Sequence, residues 1–240
     1  VNSLKELREL PAKTLLSKVP FRGSPIIDGY ILPRPVIDIY EEGQNHPVQL
    51  MTGWNQEDGI LMGGIQSAEQ FRASILNQWG PDDGAKILSH YPATDEITAT
   101  KAQLNWQRDL MFGVHNYALA NRLGAQNQNV FVYRFAHDLP DGDQEDYGAF
   151  HTGEVPYITN NLGKVSRPFD TIDDNLAGQM SSYWANFVKT GNPNGGDLPQ
   201  WPTYRAADKE IMVFDRFSRR DVLSDSTTLQ FVENLLLRKR

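Results

Sequence analysis

Helical and extended apolar patterns alternate along this chain. Ser3 with Glu6 three residues on predicts a capping box, followed by Leu4, Leu7 and Leu10 on one side of a short helix. The stretch from Phe21 to Tyr40 (FRGSPIIDGYILPRPVIDIY) is broken by Gly23, Pro25, Gly29, Pro33 and Pro35, which predicts an extended, packed connection. Pro47 to Thr52 is a short apolar run ending at Gly53, the pattern of a strand buried on both faces, and a polar loop from Trp54 to Gly59 follows it. From Ser67 to Trp79 the spacing of Ala68, Phe71, Ile75 and Trp79 is helical. Gly80, Pro81 and Gly84 interrupt it before a second short helix to His90.

Thr94 or Asp95 opens the longest helical pattern. Leu110, Val114, Tyr117 and Ala118 recur there at i, i+4, i+7 and i+8, and Gly124 marks its end. Asn129 to Phe135 (NVFVYRF) predicts a strand. A second amphipathic helix is predicted from about Asp170 to Lys189, with Leu176, Met180, Tyr183, Trp184, Phe187 and Val188 on its apolar face and Gly191 at its end. Ile211 to Phe214 predicts a last strand and Asp225 to Leu237 a closing helix. Strands alternating with helices indicate an α/β class with a mostly parallel sheet flanked by helices. With no linker, repeat or low-complexity segment, the 240 residues are read as one unit.

Composition narrows the function classes. A formal charge of -7 without a basic stripe argues against nucleic acid as a partner. The absence of cysteine removes a disulfide framework, a thiolate nucleophile and a cysteine zinc site. No apolar run approaches the roughly 20 residues that span a bilayer. The aromatics Trp54, Trp79, Trp106, Trp184 and Trp201 read as core rather than as a ligand cage.

The candidate chemistry lies in two loops, each directly after a predicted strand, where α/β sheets gather reactive groups. The first offers Glu57 and Asp58; the second, beyond the acidic stretch Asp141, Asp143, Glu145 and Asp146, offers His151 within Gly148 to Tyr157. A carboxylate beside an imidazole fixes its tautomer and stabilises the imidazolium, as in a hydrolase triad. His46, His90, His115 and His137 read as structural or surface residues. A metal pair of His151 and Glu154 lacks a third ligand. The Asp141, Asp143, Glu145 stretch lacks the turn glycine of a calcium loop, so neither metal nor cofactor is expected. No serine has a glycine two residues before it, so the G-x-S-x-G elbow is missing from these residues.

Four motifs in order resemble one family. Asp28-Gly29 follows Phe21; Gly53-x-Asn55-x-Glu57-Asp58-Gly59 comes next, then Gly148-Ala149-Phe150-His151-x-x-Glu154. The last runs from Tyr183 to Asn194, followed by Trp201-Pro202-x-Tyr204. Together they resemble the C-terminal half of the type-B, cholinesterase-like carboxylesterases, a branch of the α/β-hydrolase fold. The resemblance implies that His151 is the catalytic histidine, Asp58 the acid and Glu154 a buried acidic residue behind the histidine. The family usually places Glu before the glycine, so Glu57 stays as the alternative acid.

The resemblance further implies a serine esterase acting on a small-molecule ester. Its nucleophile and oxyanion loop would lie in an N-terminal half outside these residues, reached as a separate chain or an adjoining segment, and these residues alone would be inactive. Members of the family are often secreted or periplasmic. The competing expectation is a catalytically inactive binding or adhesion module, against which the retained Asp58 and His151 count.

Overall fold

The computed structural model describes residues 2–18, 25–62, 64–140 and 148–238. The chain divides into two units, Val1–Asn45 and His46–Arg240. In the first, α1 (Leu4–Glu9) starts at Ser3, whose side chain accepts from the Glu6 N–H. The Glu6 carboxylate reaches back one residue further than a capping box requires, to the Asn2 N–H at 2.9 Å. Ala12–Lys18 forms α2. The Asp28 carboxylate accepts from the backbone N–H groups of Tyr30, Ile31 and Leu32, with Gly29 at φ 74°.

The expected extended connection does not hold throughout, because Val36–Glu41 is a helix, α3, with Pro35 at its N-cap. Prolines break a helix interior but suit its start, where the missing N–H would have had no partner. No residue of 25–40 is buried, so the described part of this stretch is not packed as expected either. Phe21 to Ser24, part of the same expectation, lies outside the described residues.

The second unit is built on a sheet of β1 (Leu50–Asn55), β2 (Val130–Phe135), β3 (Glu210–Phe214) and β4 (Ser218–Val222), in that spatial order. The β1 and β2 strands are parallel in the register Leu50 to Val130 through Asn55 to Phe135; β2 and β3 are also parallel. The antiparallel β3 and β4 form a hairpin. That last strand was not expected, because SRRDV carries three charges and only Ser218 of it is buried. The first strand does not end at Gly53 but runs on through Trp54 and Asn55, where a loop is expected from the sequence. Gly53 looks like a break but serves close strand approach: a Cβ there would lie 2.4 Å from the Tyr133 carbonyl oxygen.

Between β1 and β2 the chain forms α4 (Ala68–His90), α5 (Glu96–Arg108), a π-helical turn (Asp109–Gly113) and α6 (Val114–Ala125). Gly80 has φ 80° and ψ 170° before Pro81, so α4 is two helices joined at a kink, as the sequence indicates. Asp95 caps α5 through the Thr98 N–H at 2.8 Å. The expected stop at Gly124 falls later, at Gln126, with Asn127 taking the left-handed conformation at φ 58°. After β2 come α7 (Val155–Ile158) and α8 (Thr171–Thr190); α8 starts at a capping box of Asp170 and Asp173 and ends at Gly191 with φ 74°. The chain closes with α9 (Ser226–Leu237).

One core joins the sheet to α7 and α8 around Phe135, Tyr157, Met180, Tyr183, Trp201 and Phe214. There the Trp201 indole N–H donates to the Val132 carbonyl at 3.1 Å. A second joins α4, α5, α6 and α9 around Phe71, Ile75, Ile87, Trp106, Val114 and Leu235. Val188, expected on the apolar face of α8, is 82% exposed. No helix among the described residues is long and apolar enough to cross a membrane.

Candidate active site

The parallel strands β1 and β2 end side by side, and both candidate loops leave from those ends. Asn55 closes β1; Gln56 is held to β2 by its N–H, which donates to the Phe135 carbonyl at 2.8 Å. Asp58 begins a 3-10 turn, Asp58–Met62. The loop after β2 returns alongside, forming a parallel bridge between Glu57 and Phe150. Glu57 N–H donates to the Ala149 carbonyl at 3.1 Å, and the Ala149 N–H donates to the Glu57 carboxylate at 3.0 Å. Two segments more than ninety residues apart are thereby set in register, which brings Asp58 to His151.

His151 Nδ1 and Asp58 Oδ1 are 2.9 Å apart. A carboxylate has no hydrogen to give, so with Asp58 ionised the proton sits on Nδ1 and the Nε2 lone pair is free to accept. Asp58 is buried while the imidazole is 36% exposed, which leaves one end of the pair dry and the other open. Burial pushes the Asp58 carboxyl above its ordinary 3.8; the Asn55 N–H at 2.8 Å, the His151 imidazole and Arg108 offset only part of that cost. Phe112, carried by the π-helical turn, lies against the imidazole with ring centroids 4.8 Å apart. Thr152, just after the histidine, is held at φ 70°, in the left-handed region that a β-branched residue rarely enters.

The other candidates occupy different places. Glu57 faces the Ala149 N–H and not the imidazole. Burial and the Asp138 carboxylate raise its pKa. Glu154 accepts from the Asn55 side chain. The acidic stretch weighed as a calcium loop lies outside the described residues. Among the described residues no cluster of histidines and acids is arranged to hold a metal ion. His137 is a buried partner of Asp173 at 2.8 Å, and His90 stacks on Phe231.

Sequence reasoning missed the supports beneath this pair. Asn55 was read as loop. Buried Arg108 and Arg134 form a group with the half-buried Asp225, and its members are far apart in sequence. Arg108 contacts Asp109 at 2.7 Å and Asp225 at 3.2 Å; Arg134 contacts Asp225 at 2.9 Å and lies over the Trp54 ring at 4.7 Å. Both guanidinium groups also lie near Gln56, the residue leading into the acid turn. The only sequence signal was two arginines within apolar patterns, which cannot say what they meet.

The placement of Glu57 has a measurable consequence. Its pKa is raised in the folded state, so the stability it contributes is present below its ordinary 4.5 and is lost as pH rises through the folded value. Glu57→Gln keeps a carbonyl acceptor for Ala149 and removes the buried charge. Thermal unfolding should show this variant at least as stable as the parent at neutral pH, with the gap closing on acidification below about pH 4.5. A variant less stable at pH 7 than at pH 4, relative to the parent, would contradict this placement.

Comparison with known proteins agrees with the fold. Residues 2–231 match the model of the family described as "Carboxylesterase family". Carboxylesterase 4A of Bos taurus is 29% identical over 91% of this chain, and carboxylesterase 1C of Rattus norvegicus is 25% identical over 75%. The chain spans 43% and 36% of the length of those two relatives. A solved structure of PNB esterase superposes with a TM-score of 0.73 at 23% identity, covering 95% of this chain and 50% of the other. The fold is thus the C-terminal portion of an α/β-hydrolase, a mostly parallel sheet flanked by helices. The chain belongs to the carboxylesterase family.

Proposed function

We propose that these residues supply the base and the orienting acid of a serine carboxylesterase, whose nucleophile and oxyanion hole come from an N-terminal half of the same enzyme. The observation that carries the reading is the 2.9 Å contact of His151 Nδ1 with buried Asp58 at the ends of two parallel strands. In this mechanism Asp58 accepts the Nδ1–H and fixes the tautomer. His151 Nε2 takes the proton of a serine hydroxyl as its oxygen attacks the ester carbonyl. The imidazolium, stabilised by Asp58, then gives that proton to the departing alkoxide. Water repeats the sequence on the acyl-enzyme and releases the carboxylic acid. Glu57 and Glu154 stay out of the proton path and hold the two loops.

Two features support a companion half. Among the described residues β1 pairs only with β2, so its other edge carries no strand, a position that a further parallel strand would cover. The G-x-S-x-G elbow is missing from these 240 residues. The substrate class is a small-molecule carboxylic ester, and no cofactor takes part in the scheme.

The experiment is ester turnover by the complete polypeptide with and without His151→Ala. The expected result is loss of about 10³-fold or more in kcat, leaving the residual catalysis of oxyanion hole and binding. Turnover within a few-fold of the parent would remove His151 from the mechanism.

A further inference from the structure

We propose that Asn55 is a positioning residue that ties the turn of the acid to the turn of the histidine. The proposal rests on the reading of His151 and Asp58 as base and orienting acid. Asn55 is the last residue of β1 and 2% exposed. It makes three contacts, and each reaches a different part of the site. Its backbone N–H donates to Asp58 Oδ2 at 2.8 Å, the carboxylate oxygen not used by His151. Its side-chain nitrogen donates one hydrogen to the Phe150 carbonyl at 2.7 Å and the other to the Glu154 carboxylate.

Phe150 comes immediately before His151 and Glu154 three residues after it. One amide therefore closes both ends of the turn that presents the imidazole. Glu57 instead holds the strand-like segment upstream of the histidine, through its two hydrogen bonds with Ala149 and its bridge to Phe150. The turn needs such a closure, because Thr152 sits at φ 70° and a β-branched residue leaves that conformation unless its surroundings fix it.

The chemistry of the position admits few residue types. Two acceptors, a carbonyl and a carboxylate, converge on one atom, so that atom must carry two hydrogens and be short enough to fit beside the strand. A carboxylate offers none, a hydroxyl offers one and an alkyl group offers none. Loss of the amide would take from the Phe150 carbonyl and the Glu154 carboxylate the donor group they share and let the histidine turn pivot away from Asp58. A displacement of about 1 Å at a catalytic group can cost on the order of 10²-fold in rate.

The test uses the complete polypeptide and a chromogenic ester, with kcat expressed per active site titrated by a serine-reactive phosphonate, so that unfolded molecules drop out. Asn55→Ala should lower kcat by 10- to 100-fold with KM within about twofold, as expected for lost alignment without lost substrate binding. Asn55→Ser, which keeps a single donor and disturbs the core less, should fall between the parent and Asn55→Ala.

Asn55→Asp should be worse than Asn55→Ala, because the new carboxylate faces Glu154. Adding Glu154→Gln should restore at least fivefold, because its amide can donate to that carboxylate. A merely structural role would change the number of titrated sites and leave kcat per site alone. Unchanged kcat per site in Asn55→Ala and Asn55→Ser, or a double variant no better than Asn55→Asp, would overturn the proposal while His151→Ala stays inactive. Full turnover in His151→Ala would instead overturn the triad reading beneath it.

Discussion

Asp58→Asn should leave the protein folded and lower kcat by about 10⁴-fold, the largest effect expected of a change this small in size. The asparagine oxygen can still accept the Asn55 N–H, as Asp58 Oδ2 does at 2.8 Å. Its amide then faces His151 Nδ1 and donates to it, which puts the imidazole proton on Nε2, where the free lone pair is needed. Stability should not fall at neutral pH, because burial raises the Asp58 pKa and the variant removes a buried charge. As with Glu57, any stability gain lies above the ordinary value of 3.8 and none below it. Steady-state kinetics and thermal unfolding on the same preparation check both halves. Glu57→Gln, by contrast, should keep most of the activity, since its carboxylate faces the Ala149 N–H. The reverse order would make Glu57 the acid.

Gly59→Ala should destabilise the protein by about 3 kcal/mol or more, enough to reduce the folded yield. A Cβ at Gly59 would lie 2.0 Å from the carbonyl oxygen of Leu104 and 2.8 Å from its carbonyl carbon, within the backbone of α5. A helix backbone cannot step aside as a side chain can, so the acid turn would have to lift off α5 and take Asp58 with it. Gly178→Ala is the control. Nothing lies within 4 Å of its Cβ position inside α8, and it should be neutral or stabilising by about 0.5 kcal/mol. Denaturant unfolding of the two variants measures the contrast; a Gly59→Ala protein as stable as the parent would mean that the turn does not press on α5 as described.

The elements legible in the sequence were those whose signal is local. Asp95 and Asp170 announce their helices through caps that any neighbouring fold would leave intact. Gly80 with Pro81 marks the break in α4, and the run from Val130 to Phe135 is apolar but for Arg134 because both faces of β2 are covered. Long-range partners decided the rest. Gly53 reads as a strand end until Tyr133 is set beside it, and β4 is charged because it needs only β3 for its hydrogen bonds. The π-helical turn that carries Phe112 leaves the helical spacing of α5 and α6 almost undisturbed, so periodicity passes over it.

The site divides along the same line. His151 and its acidic neighbours stood out through their motifs, whereas the choice between Glu57 and Asp58 depends on which carboxylate faces the ring. That is set by the bridge between Glu57 and Phe150. Asn55 gave no signal of its own, because its role comes from acceptors 95 and 99 residues away. The group of Arg108, Arg134 and Asp225 is hidden for the same reason. In each case the sequence shows a residue able to do the chemistry, and only the fold shows what it faces.

The central claim is that His151 and Asp58 activate a serine that lies outside these 240 residues. Its most direct measurement is to label the complete polypeptide with a fluorophosphonate and locate the adduct by peptide mass spectrometry, in the parent and in His151→Ala. The expected result is one adduct, on a serine within a G-x-S-x-G segment N-terminal to Val1, with a labelling rate at least 100-fold lower in His151→Ala. An adduct on any serine of this chain, or labelling at the parental rate without His151, would contradict it.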